Sequence, residues 1–370
     1  MFRKVILLIV VITMVSLIGI TSATANESFL EKTKGAGIKP DGTPLRVGIT
    51  SSELYSEFSI VLAEYTSWLL KNSGCIVDYA NPDLDLNKQV NILEDFVAMG
   101  KEVIIVQPVD DFALLDASMR VQEKGIPVLA MNHPMMTKDQ EPVVDLLGGS
   151  PNWAMGEEAA KFLVEKANGK KVKIVQFMGA AGQLIVIQRD KSFRSIIEKH
   201  PNIELVDSKY TDWKTEEAYS IMVDMLTVTP DIWGIYLQGD VLLPGILEAL
   251  EQAGRLYPVG HEKHIITASV DGAPVALDKI REGVHDFTVE QNPYAMSCVV
   301  AKGALMIAQG LDLPKGEDRI VEVRPISITA ENVEEPSLWG NYGVPRDELW
   351  PRTQEVFDYY KWPGDEKIYE

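Results

Sequence analysis

The sequence predicts an α/β protein of two doubly wound lobes with parallel sheets. Three observations carry this. From Leu45 onward short β-branched runs alternate with longer stretches of helical period, glycines fall where the helical stretches should stop, and 370 residues exceed what one small core accommodates. A composition of 46% hydrophobic and 24% charged residues excludes a disordered or collagen-like chain, and 2 cysteines exclude a disulfide scaffold.

At the N-terminus, Arg3 and Lys4 precede an apolar run from Val5 to Ile20, and Ala23-Thr24-Ala25 offers small residues at the cleavage-determining positions. This is the pattern of a secretory signal peptide, residues 1–25, cut after Ala25. A retained anchor is the alternative, but the run is short against the roughly 20 residues of a bilayer span. No cysteine follows it to take a lipid. Cleavage leaves 33 basic against 54 acidic residues, a formal charge of −21 instead of −19. Such an acid excess repels polyanions and argues against nucleic acid as a partner. Residues 26–44, polar and without apolar periodicity, read as a flexible leader.

Nine strand–helix units follow. Strands are expected at Arg46–Thr50, Ile76–Tyr79, Val103–Val106, Val128–Met131, Lys173–Phe177, Ile203–Lys209, Gly234–Leu237, Ile265–Val270 and Phe287–Glu290. Helices are expected at 56–72, 87–99, 112–124, 154–167, 188–199, 215–228, 243–253, 273–282 and 294–309. Asp110, Thr215 and Pro274 supply start signals; Gly74, Gly100, Gly125, Gly169, Gly254, Gly283 and Gly310 supply stops. Units in this rhythm form parallel sheets with helices on both faces, and nine of them divide more naturally into two sheets than one.

Ligands of open α/β sheets collect outside the carboxyl ends of the strands. The polar residues there are Ser51 to Phe58, Asn132-His133, Gly179 to Arg189, Tyr210 to Trp213, Gln238-Gly239-Asp240, Asp271-Gly272 and Gln291-Asn292. They mix carboxylates, amides, a guanidinium and aromatics. Catalytic signatures are missing: there is no G-x-G-x-x-G after the first strand, no G-x-x-x-x-G-K-[ST], no G-x-S-x-G and no H-E-x-x-H. The 5 histidines show no metal-ligand spacing, so no metal or cofactor is expected. By residue type alone, Glu53 and Glu57 read as solvated loop acids and Trp213 as a surface aromatic.

The order and spacing of RVGITSSELYSEF, GIPVLAMNHP, QFMGAAGQLIVIQRDKSF, IYLQGDVLLPGILEALEQAG, ASVDGAP and TVEQNP resembles the ribose-binding type of periplasmic substrate-binding protein, from Leu45 to about Val333. Repressors that share this architecture begin with a DNA-binding helix-turn-helix; here a signal sequence stands in that place. The resemblance implies a type I periplasmic binding protein of two Rossmann-like lobes joined by three hinge crossovers. Lobe one would hold 45–148 and 291–320, and lobe two 149–290 and 321–333. It further implies a periplasmic monomer, not an enzyme, that closes on a monosaccharide or sugar alcohol and delivers it to the membrane permease of an ABC transporter.

Carried over residue by residue, the resemblance places Ser51, Tyr55, Glu57 and Phe58 on the first-strand loop as polar and stacking groups. Asn132 and His133 fall where ribose binders have an Asp-Arg pair. Arg189 matches a ligand arginine, Trp213 a stacking aromatic of the second lobe, Asp271 the carboxylate of the V-D-G turn, Gln291 a crossover glutamine and Asp240 an acid beside the cleft. Departures at Tyr55, Glu57, Asn132-His133 and Gly239 weaken ribose itself as the ligand. Two other readings stand beside transport: a sensing subunit for a chemoreceptor or histidine kinase, and a motif-free hydrolase or isomerase, with Asp240 and Asp271 as its acids.

Export makes a disulfide between Cys75 and Cys298 chemically possible, but two buried thiols are the expectation. Residues 334–370 carry Trp339, Tyr342, Trp350, Phe357, Tyr359, Tyr360, Trp362 and Tyr369. That is too aromatic for a solvated end, and the extension is expected to pack back near the hinge.

Overall fold

The computed structural model describes residues 29–133, 135–137, 142–343 and 348–369; the expected signal peptide lies outside them. The first lobe is built from β1 (Arg46–Thr50), α1 (Glu57–Asn72), β2 (Ile76–Ala80), α2 (Leu86–Ala98), β3 (Val103–Val106), α3 (Leu115–Gln122), β4 (Val128–Asn132) and β5 (Leu146–Gly149). The second lobe is built from α4 (Asn152–Ala167), β6 (Val172–Met178), α5 (Leu184–Ile197), β7 (Ile203–Tyr210), α6 (Thr215–Val228), β8 (Ile232–Leu237), α7 (Leu243–Gln252), β9 (Ile266–Asp271), α8 (Pro274–Arg281) and β10 (Phe287–Glu290). The chain then returns through α9 (Pro293–Ala308), β11 (Ile320–Glu322), β12 (Ile326–Ile328), α10 (Trp339–Tyr342) and α11 (Thr353–Tyr359).

The two sheets have strand orders β11-β5-β4-β3-β1-β2 and β12-β10-β9-β8-β6-β7. All pairings are parallel except β10 with β12. β3 and β4 are buried at every position, as expected of strands covered on both faces. In each lobe the order reverses beside the first strand, at β1/β3 and at β6/β8, which opens a crevice at the carboxyl ends.

The lobes are joined where β5 leads to α4, where β10 leads to α9, and between β11 and β12. Here the expected boundary needs correction. Ile320–Glu322 pairs in parallel with β5 of the first sheet, and only β12 joins the second sheet, so the switch falls at 323–325 instead of before 321. The leader needs correction too. From Phe29 on it is packed: Phe29 and Thr33 are buried, Ile38 bridges Pro44, and the Gln309 side chain donates to the carbonyls of Ala36 and Ile38 at 2.7 and 3.0 Å.

α9 is buried on almost all sides because α1 covers one face and the C-terminal extension another. Its Lys302 would be costly in that setting, yet Nζ donates to the carbonyls of Phe357 and Tyr360 at 2.6 and 2.5 Å and pairs with Asp365 at 2.5 Å. The extension has two halves. Leu338 packs with Leu277, Ile280, Ile328 and Val333 on the second lobe; Trp350, Phe357, Trp362 and Ile368 belong to the core of the first. Phe357 meets Phe29 edge-on at 4.9 Å. Cys75 and Cys298 are free buried thiols, and burial pushes both pKa values up.

Candidate ligand-binding site

The carboxyl ends of both sheets face one closed-down cavity, in which about 40 Å³ is open to the centre of a water molecule. Seven of the expected residues line it: Phe58, Asn132, His133, Arg189, Trp213, Asp271 and Gln291.

The second-lobe wall starts from glycines. A Cβ on Gly179 would fall 1.9 Å from Trp213 Cζ2, and one on Gly239 would fall 2.9 Å from Cζ3. The indole therefore lies directly on both backbones. Asp212 and Trp213 turn through left-handed φ values of 47° and 61° to place it there, and its Nε1–H donates to Gln183 Oε1 at 2.7 Å. Gly239, a departure from the ribose pattern, is part of this seat.

Arg189 projects from α5, held against α4 where Gly156 admits close helix contact; a Cβ there would lie 2.3 Å from the Arg189 carbonyl oxygen. Its guanidinium donates to Asn152 Oδ1 at 2.9 Å, to the Gln238 carbonyl at 2.6 Å and to Gln291 Oε1 at 3.0 Å. Gln291 in turn donates to Asp271 Oδ1 at 2.5 Å. Three groups from three segments thus form one charge-assisted array. Burial pushes the Asp271 carboxyl up to about 6, partly offset by the Arg189 charge and the Gln291 hydrogen bond.

The first-lobe wall carries Phe58, the second residue of α1, and Asn132 at a φ of 64°. Asn132 Oδ1 is buried and has no hydrogen-bond partner among the described residues, so an acceptor faces the cavity. His133 Nδ1 lies 3.2 Å from Asp111 Oδ2.

Four expected residues stand elsewhere. Ser51 lies behind the wall, donating to Gln107 Oε1. Tyr55 is exposed at the rim and donates to the Asp212 carbonyl at 3.3 Å, across the lobes. Glu57 opens α1 half-buried, its carboxyl pushed up by burial and by Asp278. Asp240 lies under the cavity instead of beside it. Its carboxylate accepts from Ser269, Thr288 and the Ala273 N–H, and its own N–H donates to Asp271 Oδ2 at 3.2 Å. The two acids thus meet where the segment after β8 adjoins the end of β9.

The sequence places Ser52 and Gln183 within the candidate carboxyl-end segments without singling them out, misses Ser59 and Gln107, and misreads Glu53; all five line the cavity. Glu53 is buried, not solvated, because its carboxylate accepts from the Tyr55 and Ser56 amides at 2.6 and 3.0 Å and from the Ser56 hydroxyl at 2.6 Å. Gln107 follows β3 directly and was open to the same carboxyl-end rule.

The lobes touch over the cavity. Gln183 Nε2 donates to the Val109 carbonyl at 3.2 Å, and Leu184 N–H donates to Asp111 Oδ2 at 2.8 Å. Residues 48–312 match the family model of the periplasmic binding protein domain. The chain belongs to the periplasmic binding protein family. This binding protein is 25% identical over 305 residues to the ribose import binding protein of Bacillus subtilis, covering 82% of this chain and 94% of that one. It is 27% identical over 297 residues to the xylitol-binding protein of Mycolicibacterium smegmatis, covering 78% of each. Its fold matches a solute-binding protein from Bacillus halodurans with bound myo-inositol, at a TM-score of 0.72 and 24% identity over 80% of this chain and 97% of that one. Members of the family are binding proteins and not enzymes. Among the described residues of this one, no helix is long and apolar enough to cross a membrane.

Proposed function

We propose that this chain is an exported solute-binding protein for a monosaccharide or sugar alcohol, which it delivers to the permease of an ABC transporter. The observation that carries this is the composition of the cavity. Two aromatics, Phe58 and Trp213, come from opposite lobes, and the same cavity is lined by Arg189, Asp271, Gln291 and Asn132 with its unpartnered acceptor. A polyol presents hydroxyls that both donate and accept on a body with apolar C–H faces, and this set meets both requirements. Contacts divided between lobes favour the closed arrangement, which is the form a transporter would recognise. The ribose and xylitol binders among its relatives support the ligand class.

The test is calorimetry on the mature protein with ribose, xylitol and myo-inositol, followed by recovery of the ligand. Saturable binding with the ligand unchanged supports the reading; turnover points to a hydrolase or isomerase, and no binding overturns the ligand class. Export with cleavage after Ala25 predicts a mature N-terminus at Asn26, read by N-terminal sequencing. Light scattering is expected to give a monomer. A permease and ATPase encoded beside it would fit delivery, and a histidine kinase would fit sensing.

A further inference from the structure

The family match ends at residue 312, so the aromatic extension lies outside it, yet one of its residues reaches the back of the cavity wall. Trp339 is fully buried. Its indole N–H donates to the backbone carbonyl of Asp271 at 2.6 Å, and its backbone N–H donates to Glu290 Oε1 at 2.8 Å, at the end of the β10 crossover. Its ring meets Phe58 of the first lobe edge-on, with centroids 6.3 Å apart. Trp339 therefore touches one cavity residue from each lobe and the hinge between them.

The segment carrying it is fixed on both sides. A Cβ on Gly340 would lie 2.3 Å from the Gly272 carbonyl oxygen and 2.8 Å from Leu277 Cδ2, so the backbone is seated directly on the V-D-G turn of the second lobe. Tyr294, the second residue of α9, donates its hydroxyl to the Gly343 carbonyl at 2.5 Å. Further along, the Tyr65 hydroxyl of α1 accepts the Trp350 N–H at 3.0 Å, which ties the extension to the first lobe.

We propose that Trp339 is a positioning residue of the binding cavity, and that the extension carrying it links the lobes a fourth time so as to favour the closed arrangement. Asp271 stands at a φ of 130°, a backbone state that L-residues seldom adopt. The indole N–H engages the carbonyl of that strained residue, so it fixes the direction in which the carboxylate meets ligand. The edge contact with Phe58 transmits the same constraint to the opposite wall. The inference rests on the reading of the cavity as the ligand site.

The test compares Trp339→Phe, which keeps a ring against Phe58 but loses the N–H, with Trp362→Phe, a like change at the extension's far end, buried against Lys302. Both should lower the melting temperature of the ligand-free protein. Trp339→Phe should also raise Kd at least tenfold for whichever of ribose, xylitol and myo-inositol the wild type binds, and enlarge the ligand-free radius of gyration in small-angle scattering. Trp362→Phe should leave Kd within twofold. Gly340→Ala, which lifts the segment while keeping Trp339, should reproduce the Trp339→Phe result and serves if that variant fails to fold. A wild-type Kd in Trp339→Phe, or equal weakening in Trp362→Phe, overturns the proposal. If the wild type binds none of the three compounds, the ligand reading fails while scattering still decides here, and an unchanged radius of gyration in both Trp339→Phe and Gly340→Ala overturns the link.

Discussion

Asp111 of the first lobe accepts the backbone N–H of Leu184, the first residue of α5 in the second lobe, at 2.8 Å. The N-cap residue Gln183 offers α5 no side-chain cap, so the helix that carries Arg189 has its terminal donor satisfied only from across the cleft. Replacing Asp111 by Asn should weaken closure by about 1 kcal/mol, roughly a fivefold rise in Kd. Calorimetry with the bound sugar or polyol checks this, and an unchanged Kd would show that the contact plays no part in closure.

Arg189→Lys keeps the charge but not the fork that reaches Asn152, Gln238 and Gln291 together. Loss of two such bonds at a buried site should cost about 3 kcal/mol of folding stability, and the array left incomplete should bind ligand more weakly. Titration of the same ligand against wild type and variant measures the weakening.

Gly179→Ala should act on Trp213 and not on the backbone, because the added methyl falls within the indole. Both Gly179→Ala and Trp213→Ala should therefore weaken binding about tenfold or more, and the double variant should be little worse than either. Additive losses in the double-mutant cycle would mean that the ring is not held by this glycine.

Asp271 gives a pH signature of two opposite signs. Its folded pKa, about 6, lies above the ordinary 3.8, so ionisation is less favourable in the folded state, and this site's contribution to stability falls as pH rises from about 4 to about 6. Ligand-free Asp271→Asn should accordingly be more stable than wild type at pH 7.5, an advantage that fades towards pH 4. Affinity runs the other way: wild-type binding should weaken as pH drops through 6, and Asp271→Asn should bind weakly at every pH. Thermal melts and calorimetry across pH 4–8 separate the two.

With both cysteines buried and their thiols pushed up, the native protein should react negligibly with a thiol reagent. The denatured, unreduced protein should titrate both. A single equivalent or none on denaturation would contradict the free-thiol arrangement.

The sheets and most helices were legible because apolar period and glycine stops are local signals. β5 was missed for a local reason: Leu-Leu-Gly-Gly has no β-branched residue, and Gly148 is there to admit α9, since a Cβ would lie 2.8 Å from the Met296 carbonyl oxygen. α5 begins at Leu184 and not at 188 because its terminal donor is met by Asp111, far away in sequence. Among the site residues, Asn132, Asp271 and Gln291 at strand ends and Arg189 on a helix were found, while Gln107 after β3 and Ser59 on α1 were not. Glu53 and Asp240 were misplaced because carboxylates in loops read alike, whether they accept backbone amides beneath a wall or face water.

The edge contact between Phe29 and Phe357 joins the two ends of the chain inside one core. No nascent chain can complete that core until residue 357 has emerged from the synthesising or exporting machinery, so the first lobe matures last although most of it is made first. Contacts of such sequence separation slow folding. A chain that must stay unfolded to pass a membrane channel would gain from this delay, and the extension would then act as a timer on folding as well as a structural tie.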